Sequence, residues 1–193
     1  MAVDPGTLAK DILTIGRVVA PGAPNLPKIA GAVGTSVFAW LPQLQNVTSN
    51  GVTAGLSGLG TATGKLFFVP AGQVVSQLSA AGLTGPSKAV GLAVELGLAK
   101  HLNARAQYLG TSIGVSSGVD VTKVSLSNPA TLIGLLSSNL PAMGIAGPLA
   151  AQYATGLGVG IALLVQTGFG VGGVAPVTPA PLPGAGTSIS TVF

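Results

Sequence analysis

Pro70-Ala-Gly-Gln-Val-Val-Ser-Gln-Leu-Ser79 and Pro129-Ala-Thr-Leu-Ile-Gly-Leu-Leu-Ser-Ser138 read as two copies of one short helix, each opened by a proline. Each is followed by a second proline start, Thr84-Gly-Pro-Ser-Lys-Ala89 after the first and Ala146-Gly-Pro-Leu-Ala-Ala151 after the second. Proline suits the first helical position, where its missing N–H would have had no partner. A more distant copy opens at Asp4-Pro5 and restarts at Pro27. The pattern is thus a short helix, a Pro/Gly turn, a longer helix and a glycine-rich tract, met three times along the chain.

Side-chain spacing supports the helices. In Pro5–Ala20, Leu8, Ile12, Ile15 and Val19 share one face, while Lys10, Thr14 and Arg17 share another. Ile29, Val33, Val37 and Trp40 continue the spacing in Pro27–Leu41. Pro86–Leu109 is the longest and most soluble helix, with Lys88, Glu95, Lys100, His101 and Arg105. Pro148–Gln166 has no charge on any face and is expected to be buried all round. The tracts Gly51–Gly64, Gly110–Gly118 and Gly168–Gly173 follow the longer helices, and short strands are expected at Leu66–Val69 and Val119–Leu126.

The fold class predicted is mainly α: three weakly repeated helix–turn–helix units separated by Gly-rich extended or short β segments. Residues 1–175 form a single compact domain with approximate repeats 4–69, 70–127 and 128–175. Residues 176–193, with Pro176, Pro179, Pro181 and Pro183, form an extended Pro-rich C-terminal arm that could lie over a neighbouring subunit.

Composition constrains function. Only 6% of the 193 residues are charged, against roughly 25% in an ordinary soluble domain. All twelve charges lie between Asp4 and Lys123. Charged side chains normally supply much of a monomer's solubility, so the missing surface is expected to meet other copies, other proteins or lipid. The net charge is +4, but the basic residues are scattered and aromatic residues make up 4%. Neither a phosphate-tracking stripe nor a base-stacking surface results, which argues against nucleic acid as the main partner. With no cysteine there are no disulfides or thiolate metal sites. Met1–Pro5 lacks the basic and apolar regions of a signal peptide.

The motifs that suggest chemistry fail in detail. Gly58-Leu-Gly-Thr-Ala-Thr-Gly64-Lys65 has five residues where a phosphate loop has four, and Leu66 stands where a magnesium-binding hydroxyl belongs. His101 is the sole histidine, so any triad or zinc site would run through it. Arg105 lies one turn along the same face, and Glu95 lies on another. A partly exposed structural histidine is the simpler reading. Paired-carboxylate chemistry would require convergence among only Asp4, Asp11, Glu95 and Asp120. No catalytic, cofactor-binding or metal-binding residue is therefore assigned, and no enzyme activity or cofactor is expected. Asn46-Val-Thr48 matches a glycosylation acceptor but has no secretory context. Pro148–Gln166 has spanning length and a Gly156-Leu-Gly-Val-Gly160 contact pattern. Gln152, Tyr153, Thr155 and Gln166 interrupt it, and it lacks basic flanks, which favours a buried protein helix over a membrane span.

The Asp4-Pro5-Gly6-Thr7-Leu8 start, Ala/Gly-rich helices, uncharged Gly/Ser/Val tracts and Pro-rich end together resemble small virion structural proteins of tailed bacteriophages, of the tail and baseplate type. The resemblance covers most of the chain in style. It implies a non-enzymatic building block arranged in a ring or symmetric cluster, whose partners are itself and other virion proteins. Its place would be the virion, assembled in the host cytoplasm. The alternative expectation is a membrane-inserting or pore-forming protein with a helix at 148–166, of the kind a phage delivers during genome ejection.

Overall fold

The structure is a computed structural model that describes residues 4–43, 47–49, 51–53, 57–115, 121–124, 128–171 and 184–192. It is mainly helical. The helices are α1 (Pro5–Val19), α2 (Leu26–Trp40), α3 (Gln73–Ala80), α4 (Pro86–Arg105), α5 (Pro129–Ala142) and α6 (Pro148–Gln166). A 3-10 turn, Leu41–Gln43, follows α2. The strands are β1 (Val47–Ser49), β2 (Gly51–Thr53), β3 (Ser57–Phe67), β4 (Gln107–Val115), β5 (Val121–Val124), β6 (Phe169–Val171) and β7 (Gly184–Val192).

Local chemistry sets the helix ends. Asp4 accepts from the N–H groups of Gly6 and Thr7, and from the Thr7 hydroxyl, which satisfies the first turn of α1. Asn128 caps α5 through the Ala130 N–H at 3.0 Å. The exits of α3 and α5 match bond for bond. Gly82 and Gly144 take positive φ (85° and 84°). Leu83 then donates to Leu78 O, and Ile145 donates to Leu140 O, both at 2.9 Å. These are Schellman turns, and the apolar contact typical of the motif is supplied by buried Leu83 with Leu78 and Ile145 with Leu140.

Each helix packs on its sequence neighbour, as α1 on α2, α3 on α4 and α5 on α6. A second set of contacts joins α1 to α4, α3 to α6 and α5 to α2. Glycine permits two of these close crossings. A Cβ on Gly97 of α4 would lie 2.5 Å from Ile12 Cα, and one on Gly160 of α6 would lie 2.5 Å from Val74 Cα. At the third crossing, Asn139 donates to the buried Ser36 hydroxyl at 2.9 Å. Leu8, Ile12, Val33, Val37, Trp40, Leu78, Leu98, Leu132 and Ile161 fill one continuous core. Each such aliphatic side chain contributes about 1.5–3 kcal/mol by leaving water. The Trp40 indole N–H donates to Asn128 O at 3.2 Å and so ties α2 to the start of α5.

The strands pair antiparallel in the order β1-β5-β6-β3-β4-β7-β2. β1 and β2 stand at the two ends of that order yet are one residue apart in sequence. That segment pairs with β5 through its first half and with β7 through its second, so the order closes on itself.

Several expectations need correction. α4 stops at Arg105, not Leu109, because Ala106 turns extended and accepts from Leu66 N–H at 3.2 Å, which draws Gln107 onward into β4. Sheet formation is also broader than expected: β3 and β4 pair over nine positions from Ser57–Val115 to Lys65–Gln107. α6 is not buried all round, since Leu149, Ala151, Thr155 and Gln166 face solvent. α4, expected to be the most soluble helix, buries ten of its residues, His101 and Glu95 among them. The Pro-rich stretch 176–183 lies outside the described residues. Residues 184–192 form a strand paired with β4 and β2, rather than an unpaired extended arm.

Candidate functional site: charged latches and an uncharged hairpin

The acidic groups among the described residues, Asp4, Asp11 and Glu95, are all engaged in contacts between elements. Glu95, fully buried on α4, faces the start of α3. Its Oε1 accepts from the N–H groups of Ala71 (2.9 Å), Gly72 (2.8 Å) and Gln73 (3.2 Å), and its Oε2 accepts from Val74 N–H (3.0 Å). The N-cap of α3 is Gly72, with φ 82° and no side chain to offer. The carboxylate thus replaces the missing cap and meets the positive end of the helix.

Two further latches join α1 to α4. Asp11 Oδ2 lies 2.9 Å from His101 Nδ1, and Asp11 Oδ1 lies 3.5 Å from Lys100 Nζ. A carboxylate only accepts, so the ring proton is assigned to Nδ1. This leaves Nε2 buried and without a hydrogen-bond partner among the described residues. Burial raises the Asp11 pKa, but the His101 hydrogen bond and the Lys100 charge outweigh it and hold the carboxyl below its ordinary 3.8. Arg105 Nη1 lies 3.6 Å from Asp4 Oδ2. The Asp4 carboxyl is also held below 3.8, first by the Thr7 hydroxyl, against a rise from desolvation, and further by backbone N–H groups and Arg105.

His101 is fully buried, which corrects the expectation of a partly exposed residue. The structure brings His101 to Asp11 and Arg105 to Asp4, and it sends Glu95 to a different helix. Asp120 and Asn46 lie outside the described residues. No group of three or more potential metal ligands forms among the described residues. The Gly58–Lys65 tract lies within β3, paired with β4, rather than in a loop leading into a helix. Its backbone is hydrogen-bonded in the sheet and cannot cradle a phosphate.

The α5–α6 hairpin has no charged residue. Leu149 (56% exposed) and Met143 (41%) project from it. Near its turn, a shallow groove of about 350 Å³ is lined by Ser137, Pro141, Ala146, Gly147, Ala150 and Ala151. α6 has the length and hydropathy (1.5) of a membrane span, yet its glycines serve protein contacts: Gly156 and Gly160 on α3, and Gly158 on Ile133 of α5.

Compared with known proteins, the chain matches no family model, no curated protein and no solved structure.

The latches were missed in the sequence because each joins distant positions; Asp11 and His101 are 90 residues apart. One signal was available for Glu95. Ala71-Gly72 supplies no capping side chain to α3, and a chain with four acids has few groups that could cap it from elsewhere.

Proposed function

We propose that this chain is a non-enzymatic structural subunit of a bacteriophage virion, a tail or baseplate component that acts through contacts with its own copies and with other virion proteins. The observation that carries the reading is the charge-free α5–α6 hairpin, which presents Leu149, Met143 and a shallow groove of small residues. Such a surface suits protein contact better than free solvation. The deployment of the charged groups agrees with it. Asp4, Asp11, Glu95, Lys100, His101 and Arg105 are all engaged in holding helices together, and the one histidine–carboxylate pair includes a fully buried ring.

The finer architecture in this proposal is three repeated helix–turn–helix units closed into a ring. Three things support it: the cyclic contacts α1–α4, α3–α6 and α5–α2, the matching Schellman turns, and the closed strand order. The second helix of each hairpin also turns a glycine toward the first: Gly34 to α1, Gly91 to α3 and Gly158 to α5. A subunit with internal threefold character is suited to an assembly built around an axis.

The test is the molar mass of detergent-free protein by light scattering after size exclusion, alone and with tail proteins. A discrete soluble oligomer, or a complex formed with a tail protein, is the expected result. A monomer that binds none of them overturns the proposal. Recovery only in detergent or lipid favours the membrane-inserting alternative, for which the length and composition of α6 are the supporting observation.

A further inference from the structure

Two hairpins are closed by strands adjacent to them in sequence. β3 and β4 flank α3–α4 and pair with each other, and β5 and β6 do the same around α5–α6. The α1–α2 hairpin is different. The β1–β2 segment that follows it is closed by β7, which comes from the far end of the described chain. β7 sits between β4 and β2, with six residues in register against β4, from Tyr108–Val192 to Ile113–Thr187, and three against β2. It reaches this slot from β6 across the connection 172–183, twelve residues that include Pro176, Pro179, Pro181 and Pro183. Twelve residues can span at most about 40 Å, roughly the width of a domain this size, so the slot of an adjacent copy is within reach.

From this topology we infer that β7 is an exchangeable strand: the β7 of one copy fills the slot between β4 and β2 of a second copy. The inference rests on the subunit reading and adds a second contact by which copies join, besides the α5–α6 hairpin. Exchange regenerates every backbone pairing that β7 makes at home, so its cost is confined to the connection and the lost freedom of the partner. A short tether holds β7 at an effective concentration of order millimolar. The closed monomer therefore wins in dilute solution, and exchange wins where copies are concentrated, as in an assembling particle.

Ser112 and Ser188 are register partners in β4 and β7. The chain has no native cysteine to interfere. Opposed Cα atoms in an antiparallel pair are about 4.5–5.5 Å apart, within disulfide range. Full-length S112C and S188C single variants, refolded together across a concentration series and then oxidised, are expected to form a disulfide between chains that joins position 112 of one copy to position 188 of the other. Its yield should rise at least tenfold from micromolar to near-millimolar protein. The S112C/S188C double variant, oxidised when dilute, should lock β7 at home, and oligomers should form on concentration only after reduction. A locked chain that oligomerises as well as the reduced chain overturns strand exchange and leaves the subunit reading standing. A wild-type chain that stays monomeric at every concentration and binds no tail protein overturns both.

Discussion

Replacing Glu95 with alanine removes the only carboxylate at the start of α3, and the structure fixes what that should cost. Four N–H groups lose the Glu95 oxygens, those of Ala71, Gly72, Gln73 and Val74, and of these only Ala71 keeps another acceptor, Gln73 Oε1 at 2.9 Å. Ala71 is exposed and Gly72 and Gln73 are half-buried, so water can recover part of the first three bonds, whereas Val74 is fully buried. Hydrogen bonds to a charged group contribute about 1.5–3 kcal/mol net, and a buried N–H left without a partner costs about 1–3 kcal/mol more. The sum is a loss of about 3–5 kcal/mol. For a chain of this length, each kcal/mol shifts the melting temperature by about 2–4 °C, so E95A should melt roughly 6–20 °C lower. Glu95→Gln keeps one acceptor oxygen for the three outer donors but turns an NH2 toward Val74, or the reverse. It should fall between wild type and E95A. The assay is urea unfolding followed by helical circular dichroism, with calorimetry for the melting temperature. A melting temperature for E95A within 2 °C of wild type, at an unchanged urea slope, would refute the assignment of Glu95 as the cap of α3.

Gly97→Ala should destabilise by about 1–3 kcal/mol through overpacking, because its Cβ would sit 2.5 Å from Ile12 Cα; this outweighs the gain of about 1 kcal/mol in helix propensity. Gly134→Ala has nothing within 4 Å of the new methyl and should stabilise by up to about 1 kcal/mol in the same urea assay. Asp11 is depressed in the folded chain, so its contribution is complete above the unfolded pKa of about 3.9 and is lost as pH falls below it. Urea midpoints between pH 6 and 2 should therefore fall less steeply for D11N than for wild type; equal slopes would contradict the latch. Truncation after Val174 removes β7 and bares one edge of β4 from Tyr108 to Ile113. Aggregation with retained helical signal is expected, and a truncated chain that stays clear and assembles normally would argue against β7 in the ring. Leu149→Lys places a charge on the uncharged hairpin at a side chain 56% exposed. It should weaken assembly through the hairpin while leaving the melting temperature within 2 °C.

The helical part of the fold was legible because its signals are local. Prolines mark the starts of α1, α4, α5 and α6, Asp4 and Asn128 cap, and the Gly-Pro restarts at 85–86 and 147–148 separate short helices from long ones. The strands were half legible. Ser57–Phe67 and Gln107–Val115 pair along nearly their full lengths, yet with Gly58, Gly60, Gly64, Gly110 and Gly114 among them they carry little side-chain alternation to read. The end of α4 was misplaced for a related reason: Ala106 to Leu109 suits a helix locally, and the demand of β3 for a partner overrides it. Burial of His101 and Glu95 could not be read from the helix pattern, because it depends on which helix crosses α4. That choice is made by Gly97 meeting Ile12 and Gly91 meeting Leu78, across long stretches of chain.

Compactness does not make up for the shortage of charge. A folded monomer of 18.6 kDa exposes about 8,200 Å², and this chain exposes 8815 Å². Its helices already close a core of their own, so the proposed assembly would cover the exterior rather than bury the interior. Of the charged groups on the helices, Asp4, Asp11, Glu95, Lys100 and Arg105 are engaged in latches. Lys10, Arg17, Lys28, Lys65 and Lys88 are exposed and in no ion pair among the described residues, and all five are cationic. Four of them belong to the first two hairpins and Lys65 to β3. Copies meeting through those surfaces would set like charges against each other, whereas the α5–α6 hairpin carries no charge of its own, with Lys28 beside its turn at Gly144. The same sparse charge therefore does two things: spent inside, it joins α1 to α4 and caps α3, and left outside as cations on the first two hairpins and β3, it makes the third the better candidate for the proposed contact.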